Sequence, residues 1–106
     1  MKIKSESGYN AKVAEKFLDI QGQFHILSHE PIPKFRFEDD KVTDEVNGYS
    51  VSMVQEGLDE SFEVKFSVAP DLSNLSFLSA VKLSGLEGCE VGRNVYFRAD
   101  KLVAGK

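Results

Sequence analysis

Residues 62–68 have the sequence FEVKFSV, with an apolar residue at every second position. The positions between them hold Glu63, Lys65 and Ser67. Successive side chains of a β-strand point to opposite faces of its sheet, so this alternation predicts a strand with one buried face and one wet face. Pro70 follows and predicts the end of the strand, because proline has no N–H to give to a ladder.

The same alternation recurs along most of the chain. It predicts strands at residues 24–26, 34–38, 42–46, 49–53, 77–83 and 95–100, with turns between them. Asn47-Gly48 predicts the tight turn of a β-hairpin, because this dipeptide tolerates positive φ angles.

Residues 10–21 follow a different period. Val13, Ala14, Phe17 and Leu18 share one face at helical spacing. They predict a short amphipathic helix that begins at an Asn10 cap and stops at Gly22, with a strand running through Ile20 as the alternative.

These elements predict a mostly β fold in a single domain, residues 1–106. About five to seven short strands and one short helix are typical of a barrel or a sandwich. In so short a chain, a small closed or partly open antiparallel barrel (OB-like) protects strand edges better than an open sheet. Alternation assigns five phenylalanines to the core: Phe35, Phe37, Phe62, Phe66 and Phe97.

Composition limits the classes of function. The formal net charge is −4, which argues against a protein whose affinity comes wholly from neutralising phosphates. The single cysteine, Cys89, cannot form an internal disulfide and suits a reducing compartment. Residues 1–10 contain no apolar run typical of a signal peptide, so a cytoplasmic location without a membrane partner is expected.

Candidate catalytic and metal-binding residues are few. His25 and His29 lie in an extended segment that runs from a predicted strand into a proline loop, about 13 Å apart at ~3.3 Å per residue, which is too far to share a metal. Cys89 lies in a predicted turn with no histidine nearby in sequence, which favours an idle thiol. The carboxylate clusters at residues 38–40 and 44–45 lack the spacing of a calcium loop. The expectation is a non-enzymatic protein without a metal or cofactor.

One arrangement has a physical argument for binding. Tyr96 and Arg98 lie on the wet face of the last strand, where a ring can stack on unpaired bases while the cation meets phosphate. Seven basic residues on wet faces or flanks could line one groove if their strands are neighbours: Lys34, Arg36, Lys65, Lys82, Arg93, Arg98 and Lys101. The alternative is that such side chains only keep strand edges in solution.

The second half of the chain also carries a resemblance. Residues 62–105 contain a strand ending in proline, a short loop, a VKL strand, a glycine-bearing stretch and NVYFRADKL. This order resembles the short uncharacterised proteins encoded beside the transfer genes of Gram-positive conjugative elements. Together, residues 47–49 and 98–102 are similar to the layout of the small single-stranded DNA-binding proteins of filamentous phages.

The resemblance implies an OB-like barrel that coats single-stranded DNA during replication or transfer of a mobile element. Tyr49, Tyr96 and Arg98 would then stack on bases or contact phosphates. An alternative function stays open: a protein-interaction or homodimerisation module of a transfer or phage-type assembly that binds no nucleic acid.

Overall fold

The computed structural model describes residues 9–39 and 41–105, without the side chains of residues 36–38. In chain order the elements are α1 (Ala11–Phe17), β1 (Phe24–Ile26), β2 (Ile32–Glu38), β3 (Lys41–Val54), β4 (Phe62–Phe66), β5 (Ala80–Ser84), β6 (Glu87–Val91), β7 (Asn94–Arg98) and β8 (Lys101–Ala104). All eight strands belong to one sheet. The predicted mostly β fold with one short helix is confirmed.

The sheet is open. Its strands are ordered β6-β7-β4-β3-β1-β5-β8, and β2 pairs with β3 beside this path. The end strands β6 and β8 do not pair with each other, so the closed form of the predicted closed or partly open barrel is not what forms. The sheet is also not wholly antiparallel, because β7 runs parallel to β4, with Val64 opposite Phe97. The chain leaves β4, builds β5 and β6, and returns beside β4 in the same direction.

The segment between β7 and β8 forms hydrogen bonds with two strands, β4 and β5, that are far apart in the sheet order. The backbone N–H of Ala99 donates to the carbonyl of Lys65, just before the end of β4 (3.0 Å). The next N–H, of Asp100, donates to the carbonyl of Ser84 at the end of β5 (2.8 Å). A single bend at Ala99 and Asp100 therefore connects β7 with β8, which lie near opposite ends of the strand order.

The core lies on the inward side of the strands. Its fully buried side chains are Phe24, Phe66, Ile26, Met53, Val51, Val64 and Val81. Phe66 and Phe97 are buried as predicted, and Phe62 is partly buried against the core. Phe35 is 44% exposed, so its predicted core position is wrong. It lies on a part of the β2–β3 hairpin that extends beyond β4, whose pairing with β3 covers only Tyr49–Met53. Phe37 falls outside the described side chains.

The predicted turn at Asn47-Gly48 is also wrong. Strand β3 continues through both residues, and the chain reverses near Asp39, which has a φ of 52°. Two adjacent residues of β2 pair with Val46 and Gly48, so Asn47 is an extra residue that forms a β-bulge. Gly48 has a φ of 147° beside this bulge, and a tight hairpin turn also needs positive φ, so the dipeptide suits either structure.

Several boundaries differ from the prediction. The helix ends at Phe17 rather than near Gly22, and the Phe17 side chain is 41% exposed. Val68 and Phe77 lie outside the strands and are 76% and 71% exposed. Cys89 is buried within β6 and not in a turn. Strand β6 was not predicted because its sequence, EGCEV, lacks an apolar alternation.

Helix α1 covers the β6 edge of the sheet. The Asn10 side chain accepts a hydrogen bond from the N–H of Val13 (3.0 Å), which is the predicted N-cap. Asn10 and Gly88 also exchange two backbone hydrogen bonds of 2.9 Å. A β-carbon on Gly88 would lie only 3.0 Å from the backbone nitrogen of Ala14, so glycine is what allows the helix to approach. No helix in the described part of the chain is long and apolar enough to cross a membrane.

Candidate functional site

Four of the eight predicted binding residues whose side chains the structure describes lie together on one side of the sheet. We term this side the outer face and define it by Lys34 on β2, Ser50 on β3, Glu63 and Lys65 on β4, Tyr96 and Arg98 on β7, and Glu87 and Cys89 on β6. The strand register places Ser50 opposite Lys65, Lys65 opposite Arg98, and Arg98 opposite Glu87. The sheet thus brings side chains from four strands into one row.

One end of this row is an ion pair over a buried hydroxyl. The ammonium of Lys34 lies 3.3 Å from Oε1 of Glu63. The hydroxyl of Ser50 donates to the same oxygen at 2.9 Å, and Ser50 is only 3% exposed. Glu63 was not predicted as part of the site, because its partners are distant in sequence.

The other end of the row holds Arg98. Its Nε and Nη2 donate to Oε1 of Glu87 at 3.0 Å and 2.9 Å. Its guanidinium also lies 4.3 Å from the centre of the Tyr9 ring, a cation–π contact. The predicted cation is therefore present on the outer face, but it is held by a carboxylate and a ring.

Tyr9 is a member of the site that the sequence analysis missed. The pairing of its neighbour Asn10 with Gly88 directs the Tyr9 side chain to the outer face, a placement without a sequence signal. Burial raises the pKa of Tyr9, and nearby Cys89 raises it further, while Arg98 opposes the shift. Tyr9 is therefore neutral at physiological pH.

Lys65 and Tyr96 take no part in the ion pairs at the two ends of the row; Lys65 is partly buried and Tyr96 is exposed. No ion pair is recorded for Lys65 among residues 9–39 and 41–105. Its aliphatic stem lies over Gly48, where an added β-carbon would be 2.7 Å from Cε. Tyr96 is 50% exposed and faces Cys89 across the β6–β7 pair. An ammonium and a tyrosine ring are thus both open to a ligand.

A groove of about 950 Å³ opens on this face and also reaches core-side residues, among them Phe62, Val95 and Phe97. Its charged lining is balanced, with three basic residues (Lys34, Lys65 and Arg93) and three acidic residues (Asp59, Glu60 and Glu63). Tyr9 and Tyr96 also line it. A smaller cavity of about 310 Å³ lies between Lys65, Glu87 and Arg98. The groove therefore has a lining of mixed charge and no continuous positive stripe.

The remaining candidates lie elsewhere. Lys82 and Lys101 are on β5 and β8 and line neither cavity. Tyr49 is half-buried and pairs with inward-facing Phe66, so its ring belongs to the core side. The Arg36 side chain falls outside the described residues. In the described part of the chain, no three His, Cys, Asp or Glu side chains are grouped so as to hold a metal ion.

Comparison with known proteins shows a similar fold in one solved structure. No protein-family model and no curated protein matches this chain. The solution NMR structure of SAG0934 from Streptococcus agalactiae is similar, with a TM-score of 0.60 and 16% sequence identity. The similarity covers 98% of this chain and 97% of that one. The two chains share a fold over their whole lengths. At this identity the likeness shows the fold alone.

Proposed function

We propose that this protein is a non-enzymatic module that binds single-stranded DNA weakly along the outer face. The observation that carries the proposal is the half-exposed ring of Tyr96 in a groove that also holds Lys65 and Arg93. An exposed ring stacks on any base, and flanking cations contact the backbone. The resemblance to proteins of conjugative elements suggests that the DNA is the displaced strand of a mobile element.

We also propose that the sheet is a partly open OB-like barrel. Strands β1 and β2 both pair with β3 and behave as one interrupted strand, while β7 and β8 behave as one bent strand. Counted in this way, the sheet has five strands in the order β1/β2, β3, β4, β7/β8 and β5. In this order β3 pairs with β4, β4 with β7, β8 with β5, and β5 with β1. The hydrogen bonds of Ala99 and Asp100 support the bend.

An OB-like layout has a consequence for the site. In OB folds the face of strands 2 and 3, with the loops between strands 1–2 and 4–5, binds oligonucleotides. The equivalents here are β3, β4, the hairpin end near Asp39 and residues 85–93. The groove is lined by Ser50, Glu63, Lys65 and Arg93, which come from three of those four parts.

The electrostatics of the groove predict weak and salt-sensitive binding. A phosphate that approaches Lys34 or Arg98 competes with Glu63 or Glu87, so only two or three cations contribute fully. For single strands the logarithm of affinity falls with the logarithm of salt with a slope of about −0.7 per contact. We expect affinity to fall about 7- to 18-fold between roughly 50 and 200 mM salt.

Tyr96→Ala tests the stacking role. We expect it to weaken binding to an oligo-dT strand by about 1–3 kcal/mol, or about 5- to 150-fold, because one stacked base is lost. Fluorescence anisotropy of a labelled strand at low salt measures the affinity. Phe77→Ala is the matched control, since Phe77 is an exposed ring that lines neither cavity. Wild-type protein that does not bind at low salt would refute the proposal, as would equal affinities for the two variants.

Lys65→Gln tests the phosphate contact. We expect the salt slope to become shallower by about 0.7, because one counterion fewer is released. The same titration is repeated at several salt concentrations. Lys12→Gln removes an exposed charge from α1, outside both cavities, and should leave the slope unchanged. An unchanged slope for Lys65→Gln would remove this residue from the site.

The alternative function, a protein-interaction module without nucleic-acid binding, is favoured by one feature. The end of the β2–β3 hairpin exposes Phe35, Val42 and Val46. Exposed apolar groups are typical of contact surfaces. Absence of oligo-dT binding at low salt would leave this alternative in place.

A further inference from the structure

The β2–β3 hairpin has a free end, which we term the arm and define as residues 35–46. Strand β4 pairs with β3 only over Tyr49–Met53, so the arm lies beyond the part of β3 that β4 covers. Phe35 and Val46 face each other across the hairpin, and they are 44% and 42% exposed. Val42 is 61% exposed. The arm therefore presents exposed apolar side chains on a hairpin that extends past β4.

The arm is acidic. Its sequence, FRFEDDKVTDEV, holds five acidic and two basic residues. Asp39 and Asp44 are exposed. A partner for the arm should accordingly be basic, offer a strand edge and expose some apolar surface.

The opposite end of the sheet has these three properties. Among the described residues, β8 pairs only with β5 and no other strand lies along its outer edge, whereas Asn10 and α1 cover the β6 edge. The outward side chains of the β5–β8 pair are Lys82, Ser84, Lys101 and Val103, and all four are exposed. Neither strand contains a carboxylate. We term this surface the β8 edge.

We propose that the arm of one molecule docks on the β8 edge of a second copy of this chain. The arm would add to the sheet as an extra strand, with main-chain hydrogen bonds to β8. Its acidic residues would meet Lys82 and Lys101, and its valines would cover Val103. The two surfaces differ, so the contact is head-to-tail and can repeat into chains of molecules. The contact does not depend on DNA.

The proposal is tested by sedimentation velocity of the pure protein, without DNA, from micromolar to millimolar concentration. We expect a concentration-dependent rise in mass that weakens at high salt, since the charges are exposed. The arm variant Val42→Ser/Val46→Ser and the edge variant Lys82→Glu/Lys101→Glu should each associate at least ~10-fold more weakly, at about 1.4 kcal/mol per tenfold. Circular dichroism and thermal unfolding establish that both variants fold.

Mixing the two variants gives the decisive result. The edge variant keeps an intact arm and the arm variant keeps an intact β8 edge, so one intact contact forms per pair. We expect 1:1 dimers that do not extend further. A symmetric arm-to-arm contact would instead leave the edge variant associating like the wild type, and that result would overturn the proposal. A monomeric wild type at all concentrations would overturn it as well.

Discussion

Replacing Phe24 with alanine is expected to lower the free energy of unfolding by about 3–5 kcal/mol. Phe24 is 1% exposed on β1, between β3 and β5. Its ring meets Phe62 edge-on at 6.0 Å between centres, and Phe62 meets Phe97 at 5.6 Å. The three rings join strands that are not all neighbours, so truncation removes apolar burial and leaves a cavity that the sheet cannot close.

Urea unfolding followed by circular dichroism measures this loss. Domains of this size are stable by about 5–15 kcal/mol, so Phe24→Ala should remove a large share of the total. Phe77→Ala, at an exposed ring, should change the stability by less than about 0.5 kcal/mol. If Phe24→Ala does not fold, Phe24→Leu should fold with a smaller loss. A loss below about 1 kcal/mol for Phe24→Ala would contradict the core as described.

The alternation of apolar and polar residues correctly predicted those strands that have one buried face and one face in solvent. Phe66 and Phe97 are buried as expected, because their strands lie in the middle of the sheet. Phe35 follows the same alternation but is 44% exposed, because burial also needs a second layer, and none of the described helices and strands packs over the arm. A local pattern records which side chains share a face. It does not record whether anything covers that face.

For the candidate site, the sequence predicted which side chains lie on the outer face but not which residues contact them. The alternation in β4 and β7 placed Lys65, Tyr96 and Arg98 on the wet side, and the strand register brings two of them together. The partners of these residues could not be predicted. Glu87 pairs with Arg98 across the β6–β7 hairpin, and Tyr9 reaches it from a segment far away in sequence. Such contacts depend on strand order, which no local spacing encodes.

Gly48→Val is expected to lower the free energy of unfolding by roughly 2–6 kcal/mol. Gly48 has a φ of +147°, which strains any residue with a side chain. A β-carbon there would also lie 3.0 Å from the carbonyl oxygen of Phe66 and 2.7 Å from Cε of Lys65. Strain and overpacking each contribute about 1–3 kcal/mol. The fold therefore requires glycine at position 48.

Gly57→Val separates the two contributions. Gly57 has a φ of +98° but nothing within 4 Å of an added β-carbon, so it reports backbone strain without a collision. Gly48→Val should therefore lose more stability in urea than Gly57→Val. Because the valine also displaces the Lys65 side chain, any folded Gly48→Val protein should bind oligo-dT more weakly, while Gly57→Val should bind normally. If the two variants were equally stable, β3 and β4 would have to move apart at Gly48 without cost. The close packing of Gly48 against β4 would then not be what holds Lys65 on the outer face.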